Sequence, residues 1–234
     1  GGSITPHAFA SHTLAVGIRA CSYIGLFDHT GTGGINNNET TAFGHGALQN
    51  FGASNTPSVD QKGQNTAVGY NALSANTGNI GVGLNGGYNV AVGGKALEDV
   101  NGGFGNTGVG HNVAWVMDAG YYNTIIGMEA CDGYQSPSAT ALENGYGNVA
   151  IGAECDLADG IGCIMIGYLS SIDPGSATVN PIGSTVVGAG TDVVGDYVTV
   201  VGAAIQTNSN WDAGGVTAIG NGIALEELYP VGAG

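Results

Sequence analysis

A short apolar phrase recurs from one end of the chain to the other, and its clearest copies are NTAVGYNAL (65–73), NVAVGGKAL (89–97), NTGVGHNVA (106–114), NTIIGMEAC (123–131) and NVAIGAECD (148–156). Weaker copies bring the number to twelve, from TLAVG (13–17) and TTAFG (40–44) through NIGVG, CIMIG, STVVG and VTVVG to VTAIG (216–220). Taking the glycine of each copy as position 0, position −1 is always large and apolar. The set is Val16, Phe43, Val68, Val82, Val92, Val109, Ile126, Ile151, Ile166, Val187, Val201 and Ile219. Position −2 is mostly Ala or Gly, and position −3 is commonly Thr, Val or Ile. Such residues with a period of two predict a short strand whose −1 and −2 side chains point to opposite faces. The −1 series is expected to be the structural core, so charging it, as in Val92→Asp or Ile126→Asp, is expected to destroy folding.

Glycine at 0 ends the strand and turns the chain, and Ala at +3 with Leu or Cys at +4 begins a return path. Asn at −4 (Asn65, Asn79, Asn89, Asn106, Asn123, Asn148) suits a corner, because it bonds locally and tolerates left-handed backbone angles; successive corners are expected to form a ladder. A unit this short cannot bury its own apolar residues, so neighbours must stack. The prediction is an all-β fold, a β-solenoid of about twelve coils of about 14 residues with two short strands per turn, spanning roughly 58 Å at the usual strand spacing. The solenoid is placed at 13–224, with looped insertions near 28–39, 49–64, 132–147, 170–183 and 205–215, where Ser, Asn, Pro and Gly concentrate. Residues 1–12 are read as an N-terminal cap or extension, and 225–234 as a C-terminal cap or tail. Only one apolar face of so thin a coil can fill it. The other is expected to pack on a copy of itself in a closed homo-oligomer, a homotrimer, or else coils stack end to end in a filament.

Composition narrows the partners. Three basic residues (Arg19, Lys62, Lys95) stand against eighteen acidic ones, for a net charge of −15. A nucleic-acid surface needs clustered Lys and Arg, and an anionic membrane surface needs the same, so neither partner is expected. No apolar run reaches the ~20 residues of a membrane helix. The opening GGSITPHAF reads as a processed form or a fragment. Gly is 45 of 234 residues, but without a Gly-X-Y period, so ordered turns rather than collagen are expected. Cys21, Cys131 and Cys155 occupy core slots of the repeat, Cys163 takes the place of an Asn, and no CxxC occurs. Free, mostly buried thiols follow.

The phrases NTAVGYNAL, NVAVGGKAL and NVAIGAECD resemble the head repeats of trimeric autotransporter adhesins, and more closely the related repeats of bacteriophage tail fibres. The resemblance covers about residues 13–224 through five to nine positions per repeat. It implies a left-handed parallel β-roll, trimeric, at the tip or along the shaft of an extracellular fibre on a cell surface or virion. The stalk, membrane anchor and C-terminal chaperone domain of those families have no counterpart in the sequence.

Catalytic and cofactor motifs are weak. GVGLNG (81–86) fits a dinucleotide loop in spelling but lies inside the repeat, without a following helix. GGFGNTGVG (102–110) puts Thr107 where a calcium-binding nonapeptide has aspartate. His45 and His111 fall at +1, an outward slot, and the scattered carboxylates of 118–159 read as solvated loop charges. No enzyme activity, metal or cofactor is expected. The functional lead is aromatic: Phe51, Phe104, Trp115, Tyr121, Tyr122, Tyr134, Tyr146 and Trp211 lie in or beside insertions. Exposed aromatics stack on sugars or anchor protein interfaces. The function read from the sequence is a non-enzymatic adhesin or tail-fibre module that recognises a cell-surface glycan or protein through its loops, with a structural filament subunit as the alternative.

Overall fold

The computed structural model describes residues 13–22, 40–50, 63–75, 86–100, 103–115, 117, 120–131, 145–157, 160–173, 181–207 and 215–225. Their regular structure is entirely β, in sixteen short strands. Eleven form one parallel sheet: β1 (Leu14–Val16), β2 (Thr41–Phe43), β3 (Thr66–Val68), β4 (Val90–Val92), β5 (Thr107–Val109), β6 (Thr124–Ile126), β7 (Val149–Ile151), β9 (Ile164–Ile166), β11 (Thr185–Val187), β13 (Thr199–Ala203) and β15 (Thr217–Asn221). Five more, β8 (Asp156–Leu157), β10 (Ser171–Asp173), β12 (Asp192–Val194), β14 (Gln206–Thr207) and β16 (Ala224–Leu225), form a second parallel sheet on the return side. Each strand of the long sheet with its return path, which carries the chain over to the next parallel strand, is one rung, and the strands pair in chain order.

Eleven of the twelve phrases supply the long sheet, aligned position by position, for example Ala67↔Ala91 and Val68↔Val92. The twelfth, NIGVG around Val82, lies outside the described residues, and its flanking strands β3 and β4 pair directly with each other. The segments read as loops at 170–183 and 205–215 open with the strand residues of β10 and β14. The readings of 1–12, of 28–39 and of the central parts of the other insertions fall outside the described residues.

The alternation is as expected, but the faces are reversed. Position −2 fills the coil: Ala42, Ala67, Ala91, Ile125, Ala150, Met165, Val186 and Val200 are fully buried. The −1 residues Val16, Phe43, Val68, Val92, Ile126, Ile151, Ile166, Val187, Val201 and Ile219 are exposed on the outer face, and Val109 is half-buried. These residues are therefore not the core of the single chain. The reason is space. Leu48, Leu73, Leu97, Leu157, Ile172 and Ile205, all from the return side, already fill the narrow interior, so the strand can offer it only small or carefully matched residues. At Gly108 the trade is explicit, since a Cβ there would lie 2.7 Å from Cγ of Leu97.

The two halves close their rungs differently. In the first six, the chain from 0 to +4 is a compact turn with positive φ at +2 (Asn71 +51°, Lys95 +58°) and again at +4 (Leu73 +51°, Leu97 +50°). Turns stack through backbone bonds such as Leu73 N–H to Ala96 O, 3.0 Å, and Leu97 N–H to Val113 O, 3.0 Å. From the seventh rung onward, +4 continues as a strand of the second sheet, with Leu157, Ile172 and Val193 directed inward.

Candidate functional site

Three features give the solenoid surfaces of distinct chemistry: an internal amide ladder, an aromatic corner and the outer sheet face. The ladder fixes the spacing of the other two. Asn65, Asn89, Asn106, Asn123 and Asn148 are buried and linked rung to rung. The Asn89 side-chain oxygen accepts from Asn106 N–H at 3.0 Å and from Asn106 Nδ2 at 3.2 Å; the Asn106 oxygen accepts likewise from Asn123 at 3.0 and 3.1 Å. Each Nδ2 also donates to a glycine carbonyl, Gly120 O for Asn106 at 2.8 Å and Gly145 O for Asn123 at 2.8 Å. The ladder passes to Cys163, whose N–H donates to the Asn148 oxygen at 2.8 Å, and the slot is then taken by Ser184, which accepts from Val198 N–H at 3.1 Å. The expected ladder is present, while the left-handed residue is the one before the asparagine: Gln64 (+63°), Tyr88 (+61°), Gly105 (+68°), Tyr122 (+58°) or Gly147 (+67°).

Asn106→Ala is expected to strip the Asn123 donors and the Gly120 carbonyl of their Asn106 partner in the buried interior, at about 2–4 kcal/mol. A lower urea midpoint with an unchanged slope is the expected readout.

Position −6, one residue before the left-handed corner, builds the aromatic ridge. Phe104, Tyr121 and Tyr146 pair as parallel bridges across neighbouring rungs, followed by Ile161 and Ile182. Phe104 and Tyr121 stack with centroids 5.3 Å apart and planes at 3°, and Tyr121 and Tyr146 at 4.9 Å and 1°. Tyr122 stands edge-on to Phe104 at 4.9 Å and to Tyr121 at 5.8 Å, above Gly105, whose missing side chain leaves room for the ring. The rings cover one another's faces along the ladder, so Tyr121 presents edges outward, and Tyr122, 62% exposed, is the most open ring of the group.

Of the residues singled out in the sequence, Tyr121, Tyr122 and Tyr146 come together, joined by Phe104. Trp115 lies on the return side, half-buried, with the Lys95 ammonium 4.9 Å above its ring. Phe51, Tyr134 and Trp211 lie outside the described residues. Further exposed rings at Tyr70, Tyr88, Tyr168 and Tyr197 escape a search of insertions because they sit at +1 or −5 within the repeat. His45 and His111 are exposed at +1, as expected, and His45 stacks on Tyr70 at 5.5 Å.

All four cysteines are free thiols, three of them buried. Burial pushes the Cys21 thiol up to about 12, and burial likewise raises Cys163. Neutral, apolar packing is thus the ordinary state of Cys21 and Cys163. Among the described residues no three of His, Cys, Asp or Glu converge as metal ligands would, and no helix is long and apolar enough to cross a membrane.

The outer face of the long sheet runs through all eleven of its strands. It carries Thr or an aliphatic residue at −3 and Val, Ile or Phe at −1, with no charged residue in either file, on a chain of net charge −15. Ten strand intervals give it a length of about 48 Å. No protein-family model, no curated protein and no solved structure matches this chain.

Proposed function

We propose that the chain is a non-enzymatic module of an extracellular fibre, an adhesin head or tail-fibre segment on a cell surface or virion. In this reading three copies pack their outer sheet faces around a common axis and turn their corners and insertions toward a receptor. The observation that carries it is the uncharged face whose apolar −1 file runs through eleven rungs beside a file of threonines and aliphatics. Contiguous apolar patches of that extent mark association sites, and self-packing along a repeat lets each rung meet its own equivalent. The likeness of NTAVGYNAL, NVAVGGKAL and NVAIGAECD to adhesin-head and tail-fibre phrases points the same way. The receptor, a surface glycan or protein, would meet the ridge of Phe104, Tyr121, Tyr122 and Tyr146.

Tyr122→Ala tests the receptor side. It removes the most exposed ring without touching the coil interior, so circular dichroism and melting should stay near wild type. Binding to cells or to a glycan array should fall by about tenfold, the worth of one aromatic anchor of 1–2 kcal/mol. Unchanged binding would move recognition away from this corner.

A filament remains the second reading because of the first rung. Ala15 is exposed, whereas its equivalents Ala42 and Ala67, each with a rung on either side, are fully buried. Another copy's last rung would cover it in register. Long unbranched threads in negative stain would favour that arrangement.

A further inference from the structure

We propose that Cys131 and Cys155 are a disulfide-forming pair that staples the sixth rung to the seventh when the protein meets a thiol-oxidising environment. Cys131 ends the compact turn after β6, at +4, and Cys155 directly precedes β8, at +3 of the next rung. Their backbones are hydrogen-bonded to each other, Cys131 N–H to Cys155 O at 2.7 Å. Both side chains point into the coil, each about 1% exposed. The backbone bond makes Cys155 the residue just before the one opposite Cys131, so the pair sits diagonally across neighbouring rungs, which lie about 4.8 Å apart; disulfides span about 4.4–6.8 Å between Cα atoms.

The thiols also address each other. The Cys155 Sγ lies 3.4 Å from Gly152 O of its own turn; interaction with the Cys131 thiol holds Cys155 below the ordinary thiol range, and the same interaction, with burial, holds Cys131 well above it. Cys21 and Cys163 occupy other rungs and lack such a thiol partner: the Cys163 Sγ turns to Pro181 O at 3.3 Å. At the equivalent places the rungs before carry Ala114 against Ala130 and Leu97 against Val113. The sixth and seventh rungs are thus the one described neighbouring pair whose buried turn contact is made by two sulfurs.

With glutathione disulfide as oxidant the exchange balances. The Cys155 thiolate attacks one sulfur of glutathione disulfide, breaking its S–S bond and releasing one glutathione thiolate. The Cys131 thiolate then attacks the Cys155 sulfur of the mixed disulfide and releases the second. The two cysteine protons pass to the released thiolates, so two protein thiols are oxidised and one glutathione disulfide becomes two thiols. Because the sulfurs are enclosed in the coil, exchange takes place before these rungs close or while they are open.

The test uses the full chain, refolded in a mixture of reduced and oxidised glutathione, alkylated, and mapped by peptide mass. A Cys131–Cys155 linked peptide, two hydrogens lighter, with Cys21 and Cys163 alkylated, is the expected result. Alkylation of all four cysteines, or a different pairing, would overturn the proposal. Melting supplies an independent readout. The oxidised wild type should melt on the order of 10 °C above the reduced form, from closing a loop of this length in a chain of this size. Cys155→Ala should show no such redox difference, and comparing each protein with itself removes any packing cost of the substitution. Equal melts of oxidised and reduced wild type would overturn the stapling role.

Discussion

Gly110→Ala is expected to break the stack at its centre. Gly110 adopts φ of +148°, where an L side chain is strained, and its place in the glycine file leaves no room for one. A Cβ there would overlap the carbonyl oxygen of Gly127 and lie 2.7 Å from its carbonyl carbon. Gly127 repeats the arrangement against Gly152, and the same close approach runs through the file from Gly17 to Gly202. The obstacle is backbone, hydrogen-bonded on both sides, with Gly110 N–H donating to Val92 O at 2.9 Å and Gly127 N–H to Val109 O at 2.9 Å. It cannot yield without opening two rungs. Strain of about 1–3 kcal/mol adds to the overlap, so a loss of about 4 kcal/mol or more is expected, enough to unfold a marginal domain. Urea denaturation followed by circular dichroism checks it. Gly147→Ala is the control, since that glycine has a positive φ of +67° but nothing within 4 Å of an added Cβ, and it should lose only about 1 kcal/mol.

The second large effect separates neighbouring residues on one strand. Ile125 is fully buried and Ile126 is 38% exposed. Ile125→Asp places a carboxylate in the apolar packed interior, at several kcal/mol without a partner, so no cooperative folding transition should survive. Ile126→Asp puts the same charge on the outer face, where solvent reaches it. A cooperative transition should survive, with a loss of about 1 kcal/mol or less for the isolated chain, while association through the face is lost. Thermal melts alongside sedimentation read both. If Ile126→Asp unfolds the chain and Ile125→Asp does not, the assignment of inner and outer faces is reversed.

Much of this organisation was legible in the residues. The period-two alternation around each glycine specified a three-residue strand, and eleven of the phrases align as such in one parallel sheet. The buried asparagine ladder followed from Asn at −4, because a buried amide with a donor and an acceptor can satisfy itself from rung to rung. Which face was inside did not follow. Size favours −1 as core, since Val and Ile gain more from burial than Ala. The coil is too thin for that rule, because Leu73 and Leu97 already occupy the space that large strand residues would need. Two strands per turn were expected, but where the second one forms was not: the first six rungs close with a compact turn instead, and β10 begins at Ser171, inside a segment that read as loop, with only the inward Ile172 betraying the strand. At the aromatic corner the sequence brought out Tyr121, Tyr122 and Tyr146 singly. Their stacking with Phe104 depends on a shared place at the turn, which becomes visible once every copy is aligned on its glycine.

Light scattering on the purified wild type and on Ile126→Asp tests the central claim, that the outer sheet face joins copies of this chain. The wild type should give a mass near three times 23.1 kDa, and Ile126→Asp a folded species near 23.1 kDa. A wild type that stays at 23.1 kDa over the accessible concentration range, or an Ile126→Asp chain that keeps the wild-type mass, would contradict it.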